Sequence, residues 1–89
     1  MCELQKKNMI SCQLSYYPIA TLEYKVAIDK VIKIIEDSGI NYEVSGTGTV
    51  ILGESEKVFL VLEKIVSQMK ENKFVLNISV SNICGCEEV

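Results

Sequence analysis

The groups able to do chemistry on their own are the thiols of Cys2, Cys12, Cys84 and Cys86 and the glycine-rich turn Ser45-Gly46-Thr47-Gly48. Cys84-Gly85-Cys86 is a C-x-C pair, not the C-x-x-C of a zinc knuckle, and the chain has no histidine to complete a tetrahedral site. Reduced thiols in a reducing compartment are the expected state. Cys12 reads as buried strand packing, while Cys84 and Cys86 lie past the last strand and are free to react. A phosphate cradle would need a lysine after the glycines and a helix N-terminus beside them. A strand follows instead, so the stretch reads as turn chemistry. With no histidine, and with carboxylates on solvated helix positions, no nucleophile–base pair is available. Catalysis is therefore not expected, and neither a metal nor a cofactor is.

The glycine turn lies at the centre of the chain, inside NYEVSGTGTVILGE (41–54), where β-branched and aromatic residues flank the glycines as in a hairpin. Before it, MISCQLSYYP (9–18) alternates, with Ile10, Cys12, Leu14 and Tyr16 on one face and Gln13, Ser15 and Tyr17 on the other. From Leu22 to Ser38, Tyr24, Ala27, Ile28, Val31 and Ile35 form a helical stripe, with Thr21 as the expected N-cap and Gly39 as the stop. After the hairpin, Ser55 is the expected cap of a second helix whose stripe is Val58, Val61, Leu62, Ile65 and Met69. FVLNISVS (74–81) closes the chain as a strand, alternating Leu76, Ile78 and Val80 with Asn77, Ser79 and Ser81. Val26 and Leu60 fall outside the two stripes.

The order β-α-β-β-α-β with two one-sided helices predicts an α+β, ferredoxin-like sandwich: a four-stranded antiparallel sheet with both helices on one face. At 89 residues, 48% hydrophobic and 24% charged, the chain is one globular domain. Residues 1–8 read as a disordered N-terminus and 83–89 as a short tail. A net charge of −3 with scattered lysines offers no track for nucleic acid. No apolar run is long enough to span a bilayer, and Met1 to Asn8 lacks the apolar centre of a secretory signal. A cytoplasmic location is expected.

The sheet face away from the helices should present Gln13, Ser15 and Tyr17 beside Asn77, Ser79 and Ser81, next to Val50 and Leu52. A polar patch bordered by exposed apolar area suits a ligand or a second subunit. The third strand is apolar on both faces, so something besides the helices should cover it, and self-association through the open sheet face follows.

Three stretches resemble a known family. Cys12 to Pro18 (CQLSYYP), Gly48 to Glu54 (GTVILGE), and Lys57-Val58-Phe59 together with Phe74 to Cys84 are similar to the small thiamine-binding proteins, including the YkoF-like group. The resemblance implies a ferredoxin-like fold and binding of thiamine or its hydroxymethylpyrimidine moiety without turnover. The YkoF pattern carries two such repeats and this chain one, so a homodimer or homotetramer built through the sheet would supply the second. Ser15, Tyr17 and Thr49 match family positions, and Asn77 and Ser79 join them by strand alternation. Tyr17 would stack on the aminopyrimidine while hydroxyls and amides read its edge, and Glu43 or Ser45 would meet the thiazolium. The alternatives are a structural or regulatory oligomer without a small ligand, and a redox or metal module using Cys84 and Cys86.

Overall fold

Alternation in the first strand decides what the sheet buries. The computed structural model describes residues 8–46 and 48–82, and within them β1 (Met9–Pro18) turns Ile10, Cys12 and Leu14 into the core and Gln13 and Tyr17 outward. The chain continues through α1 (Tyr24–Asp37), β2 (Asn41–Ser45), β3 (Gly48–Glu54), α2 (Ser55–Gln68) and β4 (Phe74–Ser81). The strands order as β2-β3-β1-β4, all neighbours antiparallel, which is the expected ferredoxin-like α+β arrangement. Cys2, Cys84 and Cys86, residues 1–7 of the expected N-terminal segment 1–8, and the tail 83–89 lie outside the described residues.

Both helices bury their stripes on the same face. Ala27, Val31 and Ile35 of α1 and Val58, Val61, Leu62 and Ile65 of α2 pack with Cys12 and Ile51 in one core. Burying one such side chain is worth roughly 1.5–3 kcal/mol, so this layer carries most of the fold's stability. Met69, just past α2, joins it. Val26 and Leu60 are exposed, as their positions off the stripes implied.

Three local expectations are corrected. The first helix begins at Tyr24, not Leu22, because Ala20 takes a left-handed φ of 56° and Thr21 Oγ1 accepts the Glu23 N–H at 3.0 Å in a tight local turn. Leu22 is thereby left 98% exposed, and Tyr24, at the frayed end, leaves the stripe. Ser55 does not cap α2. Strand β3 runs straight into the helix, so Ser55 is already helical, with Glu54 at the cap position, and Asn8 binds the Ser55 hydroxyl (2.8 Å) and accepts its N–H (3.2 Å).

Gly39, at φ 78°, ends α1 as its position implied, and its N–H returns to the Glu36 carbonyl. The hairpin closes with Ser45 opposite Gly48. Positive φ falls on Gly48 (142°), where a Cβ would stand 2.6 Å from the Leu14 carbonyl oxygen and 2.8 Å from Ser15 Oγ. Only glycine lets the hairpin approach β1 this closely.

Candidate functional site

The close approach at Gly48 also marks where the sheet stops being continuous. On the hairpin side β1 is paired from Met9 to Leu14, ending at Leu14 opposite Thr49. On the other side it is paired with β4 from Ser11 to Pro18. Because β3 begins at Gly48, the last residues of β1 run on past the hairpin tip, with no strand beside them on that side among the described residues. A cleft of about 720 Å³ lies in this gap, roofed by Ile28, Asp29 and Ile32 of α1 and walled by Val44 and Ser45 of the hairpin.

The gap passes through the plane of the sheet, so it collects residues from both faces. Thr49 lies on the helix side, 5% exposed, and Ser15 and Tyr17 lie on the open face, yet all three line this cleft. Asn77 and Ser79 do not line it. Asn77 stands opposite Ser15, and Ser79 opposite Gln13, on the open face of the edge strand. A single open-face pocket holding all five residues is therefore not what the register builds: Thr49 is turned to the opposite face, and Asn77 reaches the cleft's rim only through its neighbour Ser15. Glu43 is on the open face of β2 outside the cleft, whereas Ser45 lines it.

Tyr16 and the α1 residues were not singled out by sequence. Tyr16 lines the cleft and stacks on Phe74 with ring centroids 5.1 Å apart. Its hydroxyl is buried without a hydrogen-bond partner, and burial pushes its pKa up, so it stays a neutral donor and acceptor. An unsatisfied buried hydroxyl costs about 1–3 kcal/mol, a cost a bound polar group could relieve. Among the described residues Asp29 is the one ionisable carboxylate lining the cleft and no lysine lines it, so the local field favours a cation. Alternation assigns Tyr16 to the core and the helical stripe leaves Asp29 on the wet side. Both readings are locally correct, and neither carries any signal for a cleft created by unequal strand lengths.

A second groove of about 400 Å³ between the C-terminal halves of the helices is lined by Lys30, Lys33, Lys64 and Asp37 and contains none of the candidate residues. Two negatively polarised helix ends, at Ser38 and Met69, lie beside those lysines and offset their pull on an anion. Among the described residues no group of acidic, cysteine or histidine side chains could hold a metal ion, and no helix is long and apolar enough to cross a membrane.

The sequence matches the family described as "Thiamine-binding protein" over residues 12–83. No curated protein matches it. Among solved structures it is similar to a candidate thiamine biosynthesis/salvage protein of Thermotoga maritima (21% identity, 82% of each chain, TM-score 0.74). It is also similar to a domain of unknown function, DUF77, from Bacillus cereus (20% identity, 83% of this chain and 75% of that one, TM-score 0.74). A Streptococcus pneumoniae protein aligns at 18% identity over 89% of this chain and 91% of its own, with a TM-score of 0.79. At these identities the structural likenesses establish the shared fold.

Proposed function

The chain belongs to the thiamine-binding protein family, and from that premise we propose that it is a cytoplasmic, non-catalytic binding protein for thiamine or its hydroxymethylpyrimidine moiety, working as a homo-oligomer. The observation that carries the reading is the cleft beside the hairpin tip, in which Ser15, Tyr17 and Thr49 meet. Its size suits a drug-sized ligand. Tyr17, 51% exposed at the rim, offers a ring face to an aminopyrimidine. Thr49 and the unpartnered Tyr16 hydroxyl offer hydrogen bonds deeper in. Asp29 takes the role first given to Glu43, a carboxylate near the thiazolium cation, with Ser45 beside it. Turnover would need an acid–base pair, and among the described residues the lining supplies one carboxylate and two tyrosines.

Asn77 and Ser79 belong in this reading to the open sheet face, where Gln13 of β1 separates Ser79 from Val50, 38% exposed, on the far side. That face is the proposed contact between copies, and it would bring a partner's polar residues toward the rim at Ser15. The free thiol of Cys12 suits a reducing compartment. The scattered lysines and net charge of −3 argue against a nucleic-acid role.

Isothermal titration with thiamine, and separately with hydroxymethylpyrimidine, tests the reading. Wild-type protein is expected to bind at least one of them below millimolar concentration. Tyr17→Ala should weaken that binding by on the order of tenfold to a hundredfold, taking about 1–3 kcal/mol for base–aromatic stacking as the guide. No heat and no thermal shift with either compound at millimolar concentration would leave the oligomer without a ligand as the better reading.

A further inference from the structure

Helix α1 separates its charges between two sides. Asp29 lines the cleft beside the hairpin, while Lys30 and Lys33 line the groove toward α2, where Lys33 pairs with Asp37 at 3.6 Å. Lys25, one turn before Asp29, lines neither. Among the described residues Asp29 has no ion pair, so its charge is left to the cleft.

The other features that hold anions in proteins are also missing from this lining. The part of α1 that roofs the cleft, Ile28 to Ile32, lies beyond the first turn of a helix that starts at Tyr24, past the reach of the dipole's positive end. The N-terminus of α2 follows Glu54, at the opposite end of β3 from Gly48. At the hairpin tip the Ser45 hydroxyl donates to the Gly48 carbonyl at 3.2 Å, so its proton is directed into the turn. Thr49 and Tyr16, deeper in, are neutral hydroxyls. They can hydrogen-bond an anion but cannot balance its charge.

We propose that the cleft discriminates by charge at the alcohol end of its ligand, taking the free alcohol of a cationic or uncharged heteroaromatic and excluding the phosphate ester of the same molecule. A phosphate monoester carries about −1.5 to −2 charges at neutral pH. In thiamine the esterified hydroxyl hangs on a short arm from the thiazolium, the ring whose charge Asp29 meets. Esterification therefore sets the phosphoryl group near that carboxylate. The two anions repel, and the phosphate gives up hydration without gaining a cation from the lining. The free alcohol meets neither cost. This discrimination rests on the cleft being the ligand site.

Isothermal titration of the full chain with thiamine, thiamine monophosphate and hydroxymethylpyrimidine tests it. The monophosphate is expected to bind at least ~10-fold more weakly than thiamine at ~20 mM salt, and the gap should narrow at ~500 mM as the carboxylate is screened. Asp29→Asn removes the charge at an exposed helix position, so it should keep the wild-type circular dichroism spectrum while narrowing the gap by at least ~3-fold. Asp29→Lys should go further and favour the ester. Hydroxymethylpyrimidine, which lacks the thiazolium, should bind Asp29→Asn nearly as it binds the wild type. Asp37→Asn, on the other side of α1, should leave the thiamine-to-ester ratio unchanged. A wild type that binds the monophosphate as tightly as thiamine would overturn the proposal while leaving the cleft a binding site, and so would a gap that survives Asp29→Asn unchanged. A wild type that binds neither thiamine nor its ester would also overturn it; the binding-protein reading then survives if hydroxymethylpyrimidine binds and falls with it if not.

Discussion

The two long sides of β1 meet neighbours of different length. On the β4 side the ladder runs from Ser11 to Pro18, and on the β3 side it stops at Leu14. Through its last residues the same strand is therefore sealed on the β4 side and open on the β3 side, among the described residues. The sealed side passes its free edge outward to β4, where the exposed positions are apolar and uncharged. The open side leaves a cleft in which a buried hydroxyl, a threonine and a carboxylate face a space of about 720 Å³. No reactive residue defines the candidate site; the position of a two-residue turn does.

Gly48→Ala should break this asymmetry most strongly, because a Cβ there meets the Leu14 carbonyl at 2.6 Å on a backbone with φ of 142°. We expect a loss of roughly 1–3 kcal/mol in urea unfolding and weaker ligand binding. Gly46→Ala is its control: nothing lies within 4 Å of a Cβ at that position, so unfolding should barely move. A smaller effect probes the strand both sides share. Burial pushes the Cys12 thiol above its ordinary 9.0, so the folded chain keeps a proton that the unfolded chain loses. That contribution is complete below about pH 9 and is lost as pH rises toward the folded value, by at most about 1.4 kcal/mol per pH unit. Urea unfolding of wild type and Cys12→Ala between pH 8 and 10.5 should show a steeper alkaline decline in the wild type.

The elements were legible because each is long and periodic: β1, both helix stripes and β4 follow from alternation or three-and-four spacing alone. The helix starts were not, since Thr21 and Ser55 are both good capping residues by type. What disqualified them was a left-handed Ala20 in one case and an absent linker in the other. The candidate site was legible in part. Ser15 and Tyr17 follow from strand parity, but parity also turns Thr49 to the other face, and only the gap beyond Gly48 brings it to the same cleft. Tyr16 and Asp29 were hidden because their local patterns describe a core residue and a wet helix position. Likewise, alternation correctly set Ile78 and Val80 on the helix side, yet it could not tell that neither helix reaches far enough to cover an edge strand.

Backbone amide NMR of the wild-type protein during a thiamine titration tests the central claim, that the gap beside the hairpin tip is the binding site. The account predicts the largest shift changes at Ser15, Tyr17, Gly48, Thr49 and Ile32, with Ser79 and Leu60 nearly unmoved. Changes concentrated at Ser79 and Ser81 with Thr49 and Ile32 silent, or no changes up to millimolar thiamine, would contradict it.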